Sequence, residues 1–555
     1  MIKAGTRNAS SGISRIGLAG FISAIFIVLF SLSAHAQENR EDAAEELLFD
    51  LLEQPITETP LPVPAAAIPD SSIPEEEMVF RIRSIEFDVD GSTREFALMN
   101  AGEFEIGERI NGKSRMDRYV SNKTQLLVNE RVFDSVEISY TVDQADENNE
   151  FPVDLLVAVE DTWNLLILPW PEYDSNSGFE LTIKARDYNF LGTMNPLKIN
   201  LGYQIDSEYM DDFSFKKGAI FLEIDSDTPF RLWGFNWNLD FDNTFSYTYD
   251  EPFYYKNRTG VSMELPVKKT LLTFGAYQSF LLNEENDDDD KAEYGEYFEN
   301  GWYMASELET SWKIPTTLEV GPYGGLFYTP KINFTIKYKP GDSVDEPRKG
   351  PTLTFSHELW FEKIDWIGNY RRGLDAAIEN SNEYNFHSSD WDKSFAVDGI
   401  VHHPFAEFFG LSGRLRYKHW FDDPYDEAGD VIRGVRNDDL YADYMLSLNI
   451  DPEFRLFRFL PSQWFNNRKL RVIDFEFHLT PFLDIALVKD PKSGRDFSFK
   501  DPVIGGGIEV IVYPYFMRSA YLRVSLGFDL NRAWEIKSIP GGKYREIFLG
   551  LGHHY

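Results

Sequence analysis

The chain has 555 residues, 43% of them hydrophobic and 15% aromatic, with a net charge of -37 and a mean hydropathy of -0.35. That length exceeds one ordinary core, so two or more parts are expected, and the polar average excludes a bundle of membrane helices, each of which needs about 20 nearly unbroken apolar residues. The acidity repels nucleic-acid phosphates, and the absence of cysteine excludes lipoprotein attachment, disulfides and Cys-ligated metals.

The one long apolar stretch follows Lys3, Arg7 and Arg15, runs from Ile16 to about Ser33 and ends in Ala34-His35-Ala36. Basic start, short apolar run and small-x-small ending read as a secretory signal peptide over 1–36 rather than a retained anchor. In 37–78, Ala44, Leu47, Leu48, Leu51 and Leu52 recur at helical spacing, and Pro55, Pro60, Pro62, Pro64, Pro69 and Pro74 follow. A short amphipathic helix and an extended linker result; the helix either docks on a partner or is transient order in a tail.

From 79 to 162 the pattern is that of a compact α+β module in the order β-α-α-β-β. Phe80, Ile82, Ile85, Phe87 and Val89 make a strand ending at Gly91, and helical segments follow over Arg94–Met99 and Ser114–Arg131. Strands over Val132–Tyr140 and Val153–Glu160 close the unit. Asp88-Val89-Asp90-Gly91 does not open a calcium loop, because Ala97 would stand where the bidentate carboxylate is needed.

After Trp163, and on through 163–555, one alternating strand follows another. In Leu197–Asp206 every odd position is apolar; Trp233, Phe235, Trp237, Leu239 and Phe241 alternate with polar residues or glycine, as do Leu522, Val524, Leu526, Phe528 and Leu530. A β-sandwich would alternate too, but strands long enough for a tilted membrane crossing, aromatic-rich apolar faces and an export signal favour a lipid-facing barrel. Only helices and closed barrels satisfy every backbone group in a bilayer. Allowing about 24 residues per strand and connection, about 16 strands fit. The fold class is therefore mainly β, a transmembrane antiparallel β-barrel preceded by a small α+β domain. The run Glu284-Glu285-Asn286-Asp287-Asp288-Asp289-Asp290 reads as a solvated loop tip. In the final segment Ile547, Leu549, Leu551 and Tyr555 share one face, which suits a last barrel strand.

Several local motifs carry a resemblance. Asp187-Tyr188-Asn189-Phe190-Leu191-Gly192, Ile432-Arg433-Gly434-Val435, Glu453-Phe454-Arg455 and Phe482-Leu483-Asp484-Ile485-Ala486 occur in that order, and five strand-like segments follow Arg433. The combination resembles the BamA/TamA outer-membrane assembly superfamily, also called the bacterial surface antigen family. Two positions depart from its pattern: Val435 replaces the usual aromatic residue and Ala486 the usual glycine. The resemblance implies a single POTRA-like domain over 80–161, a sixteen-stranded barrel, and a loop carrying Arg433 that folds into the lumen between strands eleven and twelve. It also implies the outer membrane of a Gram-negative-type bacterium, with the N-terminal domain in the periplasm.

Alternation supplies a partner for that arginine. If Tyr444, Leu446, Leu448 and Ile450 face lipid, Asn449, Asp451 and Glu453 face inward, and in the next strand so do Glu476, His478 and Asp484. Arg433 is then expected to pair with Glu453 or Asp484 by charge-assisted hydrogen bonds, the alternative being an exposed loop charge. Pro169 and Pro171, two apart in the first strand, lack N–H groups on the same side. They lie either on the seam with the last strand, which Gly550 and Gly552 weaken further, or in the connection below the membrane.

The expected function is insertion, assembly or translocation of polypeptides at the outer membrane, the seam opening to admit a client strand. The alternative is a passive pore or structural surface protein of the same fold. Partners would be outer-membrane lipid, unfolded outer-membrane or secreted polypeptides and periplasmic accessory proteins, without nucleic acid. No catalytic motif stands out, so no enzyme activity, cofactor or metal is expected; the adjacent pairs His402-His403 and His553-His554 would diverge on a strand.

Overall fold

The computed structural model describes residues 73–174, 176, 178–205, 217–249, 251–285, 301–319, 325–422, 425, 428–437, 440–519, 521–532 and 545–551. The signal segment, the amphipathic pattern at 44–52, most of the linker, the acidic run beyond Glu285, and Gly552 to Tyr555 lie outside them.

The N-terminal module consists of β1 (Val79–Asp90), α1 (Glu95–Ala101), β2 (Arg109–Asn111), α2 (Lys113–Asn129), β3 (Phe133–Val142) and β4 (Glu150–Asp161). The sheet order is β2-β1-β4-β3, with β1 and β4 parallel. One short strand, β2, was not expected: at three residues it has no periodicity to read, and it forms because Arg109 to Asn111 pair with Arg81 to Val79. Met116, Tyr119, Val120, Lys123, Thr124 and Leu127 recur every third or fourth residue of α2 and are buried. They pack over Phe80 and Ile82 of β1 and Val153, Leu155 and Val157 of β4. Lys123 lies within this layer at 2% exposure, its Nζ donating to the Glu103 carbonyl at 2.6 Å. Desolvation holds its pKa below the ordinary lysine value.

The remainder forms a closed antiparallel barrel of eighteen strands among the described residues. In chain order these are β5 (Leu165–Asp174), β6 (Gly178–Asp187), β7 (Leu197–Ile205), β8 (Ala219–Leu232), β9 (Phe235–Thr248) and β10 (Tyr254–Val267). Next come β11 (Thr270–Leu282), β12 (Trp302–Glu319), β13 (Gly325–Tyr338), β14 (Thr352–Ile367), β15 (Tyr370–Asn385) and β16 (Trp391–Ala406). The ring ends with β17 (Phe409–Trp420), β18 (Tyr444–Phe459), β19 (Phe475–Lys489), β20 (Val503–Pro514), β21 (Leu522–Asp529) and β22 (Arg545–Leu551).

The expectation of about sixteen strands was low because several connections at the α+β-domain end are two residues long. Trp233-Gly234, Lys268-Lys269, Gly368-Asn369 and Glu407-Phe408 each join two strands. Five strands do follow Arg433, so its loop joins the thirteenth and fourteenth barrel strands, β17 and β18, rather than the eleventh and twelfth. Each strand divides by parity. On β21, Val524 and Leu526 are exposed outward whereas Arg523 and Ser525 are buried on the lumen side. Exposed Ile183, Leu201, Leu239, Phe241, Leu308, Ile332 and Ile378 belong to the outer face of the other strands. An apolar surface this extensive matches the band of a membrane-spanning barrel. Among the described residues no helix is long and apolar enough to cross a membrane.

Candidate functional site

The loop between β17 and β18 folds back onto the inner wall. A 3-10 turn over Ala428–Val431 leads into it, and Val435 N–H closes on the Ile432 carbonyl at 3.0 Å. Arg433 is 4% exposed and Asp484, on β19, is fully buried. Three donors of Arg433 reach that carboxylate: the backbone N–H and Nε to Oδ2, each at 2.9 Å, and Nη2 to Oδ1 at 2.7 Å. Nη2 also donates to Asp451 of β18 at 2.5 Å, and the guanidinium lies 3.9 Å over the Phe482 ring. Asn449 Nδ2 holds the loop backbone at the Val431 carbonyl, 2.8 Å away.

Glu453, the other expected partner, does not meet Arg433. Asn449 and Asp484 are opposite one another across β18 and β19, and the loop descends at that level. Inward residues along a strand are about 6.6 Å apart, so Asp451 is one step away and Glu453 two. Glu453 bonds His478 Nδ1 instead, and the opposite ring nitrogen faces Glu476 at 2.7 Å. The two departures from the family pattern are both buried in one apolar cluster: Val435 and Ala486 pack with Val431, Ile432, Leu440 and Met445.

Glycines make this approach possible. A Cβ on Gly505 would stand 2.2 Å from the Arg433 carbonyl oxygen, one on Gly527 would stand 2.6 Å from Gly434 N, and one on Gly434 would stand 2.3 Å from Phe528 N. Gly434 also has φ +95, a conformation that side chains disfavour. Neither Gly505 nor Gly527 was singled out from the sequence, although glycine within a strand is a signal of close backbone approach.

At the seam, β5 pairs with β6 from Leu165 to Asp174 without a break. Against β22, the β5 ladder comprises only Asp174–Phe548 and Tyr173–Leu549 among the described residues. Continuing that register would set Pro171 against Leu551, and there the pairing stops. Pro169 and Pro171 are thus in the barrel strand itself, opposite Ile183 and Leu181, not in a connection below it. A proline whose missing N–H faced β6 would break that ladder, so both positions turn toward β22. Gly550 packs beside Glu172: a Cβ there would stand 2.7 Å from its Oε1. Ile547 and Leu549 pair with Leu526 and Val524, continuing the outer face of β21, and Leu551 pairs with Leu522.

The α+β domain is fastened to the near rim. Arg131, after α2, donates from Nε to the Arg518 carbonyl at 2.5 Å and stacks 4.0 Å from Trp366. Asn129 Nδ2 donates to Asp365 at 3.0 Å and its Oδ1 accepts from Trp366 N–H at 2.9 Å. Arg471, between β18 and β19, grips Asp134 with two bonds of 2.6 Å. On the other side the Asp187–Gly192 motif forms the β6–β7 turn. Asn189 Nδ2 donates to Thr93 Oγ1 at 2.6 Å and Arg94 N–H to the Gly192 carbonyl at 2.9 Å. His402 and His403 diverge: His402 is buried inward and bonds Ser412 Oγ at 2.6 Å.

No family model and no curated protein matches the chain. Solved structures similar to it include CdiB from Acinetobacter baumannii, 13% identical over 85% of this chain and 73% of that one, with a TM-score of 0.43. CdiB from Escherichia coli is 11% identical over 96% and 98%, with a TM-score of 0.38. BamA from Haemophilus ducreyi lacking POTRA domains 1-3 is 13% identical over 85% and 84%, with a TM-score of 0.35.

Proposed function

We propose that this chain resides in a bacterial outer membrane, its α+β domain a POTRA-like module in the periplasm, and that it inserts or translocates polypeptides by admitting a client strand at the β5–β22 seam. The observation that carries this reading is the seam ladder, two residue pairs long among the described residues and stopping at Tyr173, two positions short of Pro171, beside a β5–β6 ladder that runs the length of the strand. An edge with free donors and acceptors templates an incoming strand, and the remaining bonds are few enough to exchange. On this reading the partners are lipid and unfolded polypeptide, with accessory proteins reaching the periplasmic domain, and the chain is not an enzyme and takes no cofactor. The native chain has no cysteine, so Tyr173→Cys with Leu549→Cys gives one unambiguous lock. Oxidising it should abolish assembly of other barrels in depleted cells, and full assembly with the lock closed would overturn the proposal.

A second reading, a passive pore, draws on the lumen wall. Glu358 lies opposite Glu379 and Glu362 opposite Asp375 on β14 and β15, and Glu358, Glu362 and Asp375 line, with Asp398 and Arg414, a cavity of about 270 Å³. Such a wall would favour cations. Cation-selective conductance, with no effect of depletion on other barrel proteins, would favour it over insertion.

A further inference from the structure

The far end of the seam, remote from the α+β domain, carries a set of bonds that the ladder alone does not explain. Glu546 is the second residue of β22 and points into the lumen, opposite Gly527 of β21. Each of its oxygens is taken by a different part of the chain. Oε1 accepts from Asn176 Nδ2, in the hairpin between β5 and β6, at 2.9 Å; Oε2 accepts from the backbone N–H of Gly434, in the lumen loop, at 2.7 Å. The triangle closes through Asn176 Oδ1, which accepts from Asn437 N–H of the same loop at 3.1 Å.

We propose that Glu546 and Asn176 form a clasp by which the lumen loop holds the seam shut. Resting on the seam reading above, this adds its regulation: Glu546 and Asn176 are positioning residues, and the state of the loop sets the state of the seam. The barrel's last described strand and its first hairpin meet at Glu546 and Asn176 across the same gap that the described two-pair ladder spans. The loop is tied at its other side to β18 and β19 through Arg433, so it braces the seam against wall strands three and four places from β22. Gly527 and Gly434 have no side chains, and a Cβ on either would displace the backbone that brings Gly434 N–H to Glu546. A carboxylate accepting from two neutral donors makes bonds stronger than neutral pairs. Loop withdrawal therefore removes two of the triangle's three bonds, those from Gly434 and Asn437, and seam opening breaks the third or pulls Glu546 from the loop.

Hydrogen exchange of the full chain in bilayers tests this, because the Leu549 amide faces β5 and its exchange rises with the open fraction of the seam. Glu546→Ala removes both bonds and should speed it at least about tenfold, the effect of losing a single charge-assisted bond. It should also speed exchange at Gly434 and Asn437, and leave β14 and β15 unchanged. Asn176→Ala, which alters no strand, should give a similar loosening, and Glu546→Gln, retaining one acceptor oxygen, should fall between. Protection at Leu549 and Gly434 equal to the parent in both alanine variants would overturn the clasp. The cysteine lock separates this from failure of the client role. Unchanged exchange with a lock that still blocks assembly removes the clasp alone; loosened exchange with a lock that leaves assembly intact removes the client role and keeps the clasp.

Discussion

Arg433→Ala strands a carboxylate in a place water does not reach. Asp484 is fully buried, and the substitution removes two of its three bonds from Arg433, those to Nε and Nη2, while the backbone N–H remains. Asp451 loses its bond of 2.5 Å at the same time. Each charge-assisted bond is worth about 1.5–3 kcal/mol, but they share one guanidinium and do not add; breaking a buried pair by deleting one partner costs about 3–5 kcal/mol, most of it the stranded charge. The double variant Arg433→Ala with Asp484→Ala should therefore be less damaged than the sum of the singles, by about 2–3 kcal/mol. Arg433→Lys keeps the charge but cannot reach Asp484 with two parallel donors and Asp451 with a third, so it should fall between. The folded barrel's resistance to heat and denaturant on gels, read together with protease cleavage of the loop, reports all four chains. A parent-like Arg433→Ala, or strictly additive singles, would refute the buried-pair reasoning.

Gly505→Ala should push the loop off the wall, since the new methyl would meet the Arg433 carbonyl at 2.2 Å; a loss of about 1–3 kcal/mol in barrel unfolding is expected. Leu127→Ala empties a fully buried position in α2 and should lower the stability of the α+β domain by about 2–5 kcal/mol, seen as earlier proteolysis of that domain in urea while the barrel keeps its gel mobility. Arg131→Ala removes the donor to Arg518 and the stack on Trp366; faster cleavage at the domain–barrel junction, with the thermal stability of the barrel unchanged, is the expected result.

Strand parity was legible because it has a direct cause: one wall faces lipid and the other water. Leu197 to Ile205 emerge as β7, and Tyr444, Leu446 and Leu448 face outward as their alternation implies. Turns were less legible. Trp233 fits the alternation of the strand after it, yet it occupies a two-residue turn at φ +54 and 80% exposure, and turns hidden in this way lowered the strand count. At the loop, Arg433 and Asp484 could be brought together by parity alone, whereas choosing Asp451 over Glu453 required the height at which the loop meets the wall. Glu546 and Asn176 are 370 positions apart, and only closure of the ring makes them neighbours.

The α+β domain is held both at the β6–β7 turn, by Asn189 and Gly192, and at the β14–β15 turn, by Asn129 and Arg131. Eight strands separate those turns one way around the ring and ten the other, so the domain reaches nearly along a diameter and, through Arg471 and Arg518, also bears on the β18–β19 and β20–β21 connections to one side. A hoop propped in this manner resists being squashed into an ellipse along that line. One foot of the prop stands a single hairpin from the β5–β22 joint of the hoop, so load borne by the domain at that foot reaches the joint through β5 and β6 alone.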